Sequence, residues 1–411
     1  MEIRKQAFIN TVGNIVYLFS LLALTAVTSH CLGYTAAGTL TLAMAVGNVI
    51  AVIQMSGVRS FQSSDILFQY SAREYVLSRI ITILFGWGIG ILACVILRYP
   101  VKITCSIILF ILLKTSESFS DVLFGNDQRV GHLEYGGYSM LARGIVIITA
   151  FSITAIFARN LNTALFAAGV GGVILSLTVD LPVHNKTAVI NKSSQCKGAF
   201  NIIKDCFPLM IVTLIPTVIA GFPRIILERY NGPEILGYYG NVSTPSLLLT
   251  SVMPTILVAF LPGFGKAAGT GDYRTIRTNW VKTLCFVIAL TICSILGVYL
   301  LGKPVLSIIY TDKIIPYIQY LYSIFIAMAF CAFTMCNNTV LVALRKNWGL
   351  SFTSILALII CLICTTPLVR EWGIPGAIAS LGIPYAIQFI VQTIWILLIC
   401  RNGNNNETTT S

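Results

Sequence analysis

The chain has 411 residues, 56% of them hydrophobic and 10% charged, with a mean hydropathy of +0.84. So few charges cannot cover a soluble protein of this length, and apolar runs beyond ~18 residues recur, so the chain is read as an integral membrane protein. The net charge of +12 sits between those runs, where positive-inside topology accounts for it without a nucleic-acid partner; the runs are continuous rather than alternating, which excludes a β-barrel.

Spans are read near 8–29, 35–57, 79–98, 103–124, 137–157, 161–183, 207–227, 235–261, 280–301, 317–343, 350–369 and 373–400. About twelve helices fit the length at ~20 residues per span. No small-x-small cleavage site follows the first run, which is therefore read as retained. This topology puts most of the 27 Lys and Arg, including Arg79, Arg129 and Arg143, on the side of both termini, which are expected in the cytosol. The longest polar connection near the middle divides the chain into an N-terminal six-helix lobe (1–184), a cytosolic linker (185–206) with Lys186, Lys192, Lys197 and Lys204, and a C-terminal six-helix lobe (207–401). Residues 402–411 read as a disordered polar tail. Glu74, Tyr75 and Arg79 after span two recur as Asp272, Tyr273 and Arg277 after span eight, which reads as a parallel repeat. The expected fold is an all-α polytopic membrane protein of two pseudo-symmetric lobes.

The fourth span differs from its neighbours. Lys114, Glu117, Ser118, Asp121 and Gly125 fall within about 100° of one another around a helix. A charge at mid-bilayer costs roughly 2.5–3.5 kcal/mol on insertion scales, so this face should meet a partner or a wet cavity. Two readings stand side by side. In one, Lys114 and Glu117 form an ion pair that locks helix packing, with Asp121 reaching for the interface. In the other, Lys114 faces an anionic substrate while Glu117 titrates or balances it.

Further along, Arg224 follows Pro223 inside span seven, and Glu228 lies one turn on. Arg224 either snorkels to the interface or faces a lumen, opposite Lys114 if the lobes pack face to face. Arg59 ends span two in a polar turn, where it either anchors at the membrane interface or pairs with Asp65. Gly86-Trp87-Gly88-Ile89-Gly90 and Gly169, Gly171 and Gly172 suit close helix packing, and Pro216, Pro223, Pro254, Pro375 and Pro384 permit kinks. Enzyme chemistry is not signalled: the chain carries no phosphate loop, dinucleotide fingerprint, HExxH or metal-spaced histidine pair. His30, His132 and His184 are isolated and read as loop or interface residues. Most cysteines, Cys361 and Cys364 among them, lie in apolar helices without a second ligand pair, so no metal, cofactor or catalytic residue is expected.

The pattern Asp121-Val122-x-x-Gly125-x-x-Gln128-Arg129-x-x-x-Leu133-Glu134-x-x-Gly137-x-Ser139-x-x-x-Arg143-Gly144 resembles polysaccharide flippases of the Wzx type. So do the turn from Arg59 through Phe61, Gln62, Asp65 and Ile66, the segment from Phe222-Pro223-Arg224 to Gly237-Tyr238-Tyr239-Gly240, and Pro245. These flippases belong to the multidrug/oligosaccharidyl-lipid/polysaccharide exporter (MOP) superfamily, with lipid II flippases and MATE drug exporters. Ile225 stands where family members often carry tyrosine. The resemblance implies two six-helix lobes around a V-shaped cationic cavity in the bacterial cytoplasmic membrane. Its cargo would be an undecaprenyl-diphosphate-linked glycan, turned from the inner to the outer leaflet by ion-coupled alternating access. Membrane lipid, a polysaccharide polymerase and glycosyltransferases are the implied partners. Arg59, Lys114 and Arg224 are the expected diphosphate ligands, because paired phosphates leaving water need matched positive charge. Glu117, Asp121 and Glu228 are the expected coupling or charge-balancing acids. The alternatives are a MATE-type cation-coupled drug exporter, whose cavity should be net acidic, and a lipid II flippase. A membrane scaffold or transferase would be expected to carry a large catalytic loop.

Overall fold

The computed structural model of the chain describes residues 3–65, 67–187 and 196–410. Ile66 of the turn after span two, and Lys192 of the expected linker, lie outside the described residues. Among those described, every regular element is a helix. Hydrocarbon imposes this, since a backbone there must satisfy its own N–H and C=O groups.

The chain divides into two compact units, Met1–Gly221 and Phe222–Ser411. The first contains α1 (Ile3–Cys31), α2 (Tyr34–Met55), the short α3 (Val58–Ser64), α4 (Ala72–Leu97), α5 (Val101–Arg129), α6 (Leu133–Ala158), α7 (Leu161–Leu175) and α8 (Leu181–Thr187). A π-helical turn, Ser176–Asp180, joins α7 to α8. The long α9 (Cys196–Ser243) begins in the first unit and ends in the second. There follow α10 (Ser246–Val258), α11 (Leu261–Thr270), α12 (Tyr273–Ile309), α13 (Gln319–Ala343), α14 (Asn347–Trp372) and α15 (Ile374–Thr410), the last carrying the polar C-terminal residues in helical form.

Among the described residues ten helices are long and apolar enough to cross a membrane, and the chain is a multi-pass membrane protein. Large apolar side chains on their outer faces remain uncovered, such as Leu84 at 66%, Phe157 at 83% and Ile308 at 79% exposure. In water these would be a liability; against lipid tails they are at home.

Local chemistry sets several boundaries. Ser71 caps α4 through a reciprocal capping box with Glu74: the Ser71 hydroxyl accepts from the Glu74 N–H, and the Ser71 N–H donates to Glu74 Oε2 at 2.8 Å. Asp272 caps α12 differently, as the N-cap itself, accepting from the Thr275 N–H at 2.8 Å. The two members of the sequence echo thus both mark helix starts, but in different registers. Their arginines part company too: Arg79 is fully buried and Arg277 exposed. In α9 the helical backbone continues through Pro216 and Pro223 and breaks at Gly232 (φ 82, ψ 168). That positive-φ, extended conformation is open to glycine and closed to most residues, so the break is glycine's and not either proline's.

One helix organises the first unit. α5 packs against α2, α3, α4, α6, α7 and α8, and its buried residues include Lys114, Ser116, Ser118, Ser120 and the run from Val122 to Asp127. Its polar stripe therefore faces protein.

Candidate functional site: the polar interior of the first unit

Helical spacing brings Lys114 and Glu117 together on α5, where Lys114 Nζ lies 2.7 Å from Glu117 Oε2. The same carboxylate oxygen accepts from the Tyr17 hydroxyl of α1 at 2.6 Å. Tyr17 also offers its ring to the ammonium, whose Nζ stands 5.6 Å from the centroid, with Phe110 at 6.0 Å. Lys114 is 7% exposed. The ion pair foreseen from the spacing is thus present, with a phenol as third member that the sequence did not reveal.

One turn on, Asp121 is shared by two arginines. Arg79 of α4 reaches Oδ2 at 2.8 Å and Arg59 of α3 reaches Oδ1 at 3.5 Å. Arg79 also donates to the Gln54 carbonyl at 2.7 Å, as does the Thr82 hydroxyl at 2.7 Å. The Gln54 side chain in turn donates to Thr115 Oγ1 at 3.0 Å and accepts from the Ser118 hydroxyl at 3.2 Å, tying α2 to α5. Arg59 keeps 26% of its side chain exposed, and its guanidinium lies 5.9 Å from the Phe124 ring centroid. Two full positive charges against one carboxylate leave this end of the stripe cationic.

Two expectations are corrected here. Asp65 does not pair with Arg59: it takes Arg129, at 3.1 Å, in a pair almost completely buried. Arg129 also donates to the Tyr70 carbonyl and lies 4.4 Å from the Phe68 ring centroid. Arg79, Arg129 and Arg143, read from sequence as cytosolic loop cations, are interior side chains at 0%, 1% and 0% exposure. A basic residue near a span's end looks the same in sequence whether it turns outward to water or inward to an acid.

Arg143 of α6 shows this most fully. It pairs with Asp180 at 3.0 Å and donates to the hydroxyls of Ser116, Ser120 and Ser176. Asp180 accepts from the Ser139 hydroxyl at 2.6 Å as well. The π turn places Asp180 and Ser176 on this face of α7, and Gly172 leaves room for the Ser116 hydroxyl. The sequence pattern from Asp121 to Gly144 is in large part this network: Gly125 admits α3, Gly137 admits the α1 backbone, and Ser139 and Arg143 hold Asp180. Asp180, Gln54 and Tyr17 escaped the sequence reading, and Arg79 was not read there as a partner of Asp121, because each is supplied by another helix. His184, read as a loop or interface residue, is 4% exposed on α8.

Arg224 and Glu228 belong to the second unit. Arg224 is partly buried on α9 and hydrogen-bonds Tyr239, while Glu228 is 8% exposed. Within the first unit the structure brings Arg59 to Asp121 and Lys114 to Glu117; Arg224 and Glu228 belong to the second unit.

No family model matches the chain. A capsular polysaccharide biosynthesis protein, CapF of Staphylococcus aureus, is 23% identical over 332 residues, 78% of this chain and 81% of that protein. Among solved structures, an inward-facing multidrug resistance MATE family transporter of the MOP superfamily superposes with a TM-score of 0.76 at 13% identity, covering 97% of this chain and 99% of its own. The MATE multidrug transporter DinF-BH gives 0.67 at 15%, covering 96% and 94%. A MOP superfamily transporter from Pyrococcus furiosus, for which reverse polarity of the binding pocket suggests a different function, gives 0.60 at 13%, covering 97% and 95%. The chain has the fold of the multidrug/oligosaccharidyl-lipid/polysaccharide exporter superfamily.

Proposed function

We propose that this protein is a flippase for undecaprenyl-diphosphate-linked oligosaccharide repeat units, working by ion-coupled alternating access in a bacterial cytoplasmic membrane with both termini in the cytosol. The observation that carries the reading is the sharing of Asp121 by Arg79 and Arg59. Arg79 is locked to the carboxylate and to the Gln54 carbonyl, which leaves Arg59 long-bonded and partly exposed as the cation available to an anion. A diphosphate suits it, since a guanidinium fork binds phosphate oxygens in pairs.

Lys114 and Arg224 are the further cations assigned to the diphosphate, and Glu117, Asp121 and Glu228 balance charge when the cargo is absent. The similarity to CapF supports a polysaccharide cargo over a drug. A drug exporter for organic cations would be expected to turn the acids of its polar stripe toward the substrate, whereas Glu117 and Asp121, the acids of the α5 stripe, are both engaged by cations of the protein. Membrane lipid surrounds the isoprenoid tail in this scheme, and the polymerase and glycosyltransferases of glycan assembly are the natural neighbours.

The test is transbilayer movement of a labelled undecaprenyl-diphosphate oligosaccharide in proteoliposomes, beside efflux of organic cations from the same vesicles. Movement of the glycan lipid without cation efflux supports the flippase. Cation efflux without glycan movement replaces it with the drug-exporter reading.

A further inference from the structure

Most acidic side chains around α5 are matched by a full cation, although Glu134 at the start of α6 has only His132, at 3.3 Å. Asp65, Glu117, Asp121 and Asp180 each have an arginine or lysine at 2.7 to 3.1 Å. Asp127, near the end of the same helix and beyond its apolar part, is 2% exposed, yet among the described residues no cation lies within 4.0 Å of it. Its one side-chain donor among those residues is the Thr187 hydroxyl of α8, at 2.6 Å. The carboxyl lines a cavity of about 320 Å³ between α5, α6, the π turn and α8, whose walls include Phe124, Tyr135, Ser139, Asp180 and Val183.

We propose that Asp127 is the proton-binding group of this transporter, gaining and losing a proton through the cavity it lines as the transport cycle turns. The coupling role rests on the transport reading above; the binding of the proton does not.

A carboxylate withdrawn from water without a cation favours its protonated form. Burial pushes Asp127 up to about 6, and Asp180 adds to the rise, while the Thr187 hydrogen bond, His132 and Arg59 oppose it. The groups around it are thus Arg59 from α3, His132 from the α5–α6 turn, Tyr135 and Tyr138 from α6, Asp180 from the π turn and Thr187 from α8. Asp180 is already neutralised by Arg143. The carboxyl therefore holds its proton in mildly acidic surroundings and releases it near neutrality. Release also strengthens the contact with α8, because the ionised carboxylate is the stronger acceptor for the Thr187 hydroxyl. Glu117 and Asp121 are poorer carriers: each would have to abandon a cation to accept a proton.

Two readouts on the full chain separate this proposal from the choice of cargo. Infrared difference titration in lipid nanodiscs, without substrate, should show a carboxyl that protonates near pH 6 and vanishes in Asp127→Asn. In Thr187→Val the same signal should move to higher pH, because the hydrogen bond favouring the ionised form is gone. In proteoliposomes carrying the labelled glycan lipid, the ratio of rates with and without a pH gradient should exceed one for wild type and fall to one in Asp127→Asn. Undiminished gradient stimulation in Asp127→Asn overturns the proposal, as does a titration unmoved in both variants. If wild type moves no glycan lipid, the flippase reading fails, and the infrared titration alone decides whether Asp127 binds the proton.

Discussion

Asp121 holds Arg79 at 2.8 Å and Arg59 at 3.5 Å, and only Arg79 is wholly shut away from solvent. Removing one partner of a buried pair typically costs about 3–5 kcal/mol, because the remaining charge stays buried. Arg79→Met should therefore lower stability by roughly 3 kcal/mol, the lower end, since Asp121 keeps Arg59 and some solvent. Arg59→Ala should cost about 1 kcal/mol or less, as exposed pairs do. Thermal unfolding in detergent, followed by size-exclusion chromatography, reads the difference. Equal losses in the two variants would refute the division into anchor and anion ligand.

The Lys114–Glu117 pair poses a different question, whether it holds the helices or meets the cargo. Replacing a buried ion pair by apolar or neutral groups of similar shape is often neutral in stability. The double variant Lys114→Met/Glu117→Gln should hence unfold within about 1 kcal/mol of wild type, the introduced amide keeping the Tyr17 hydroxyl as a partner. Its glycan-lipid movement should be lost. A double variant that is stable and still moves cargo would leave the pair a purely structural role.

These two sites also show what the sequence discloses. The apolar runs announced every major helix, because lipid exposure leaves a compositional mark on the chain itself. The Lys114–Glu117 pair was legible for a similar reason: both partners sit on one helix, three residues apart. Arg79 and Arg143 were misplaced because their acids, Asp121 and Asp180, come from other helices, and nothing local tells an inward arginine from an outward one. Asp180 owes its position to a π turn, which the sequence Ser176–Asp180 does not advertise. Asp65 went to the wrong arginine since proximity in sequence favoured Arg59, whereas the chain folds Arg129 back onto it.

The start of α12 should respond to acid. Hydrogen bonds from Thr275, its hydroxyl first and its N–H second, hold the Asp272 carboxyl below the usual aspartate range. A carboxylate depressed in the folded state contributes stability that is present above its unfolded pKa, about 3.9, and lost as pH falls through the lower folded value. Amide protection in the first turn of α12, corrected for intrinsic exchange, should therefore fade only in that acid range. Asp272→Asn, still a good cap, should flatten the pH dependence, and Asp272→Ala should lose protection at every pH. Hydrogen exchange resolved to the peptide that starts α12 decides between them.

Two glycines two residues apart on α4 give the sharpest contrast available to a single methyl group. At Gly86 an added Cβ would come within 2.6 Å of Gln54 Cγ, whereas at Gly88 it would meet nothing within 4 Å. Gln54 has little freedom to yield, because its carbonyl accepts from Arg79 and Thr82 while its amide joins Thr115 and Ser118. Gly86→Ala should thus destabilise by about 1–3 kcal/mol, the usual cost of overpacking, and should drag the Arg79–Asp121 pair with it. Gly88→Ala should be neutral or stabilising by up to roughly 1 kcal/mol, because alanine restricts the unfolded chain and suits a helix. If α4 met α2 only through interchangeable apolar surface, the two substitutions would differ little in thermal unfolding. A loss confined to Gly86→Ala identifies the Gln54 contact as the fixed point from which Arg79 reaches the polar stripe of α5.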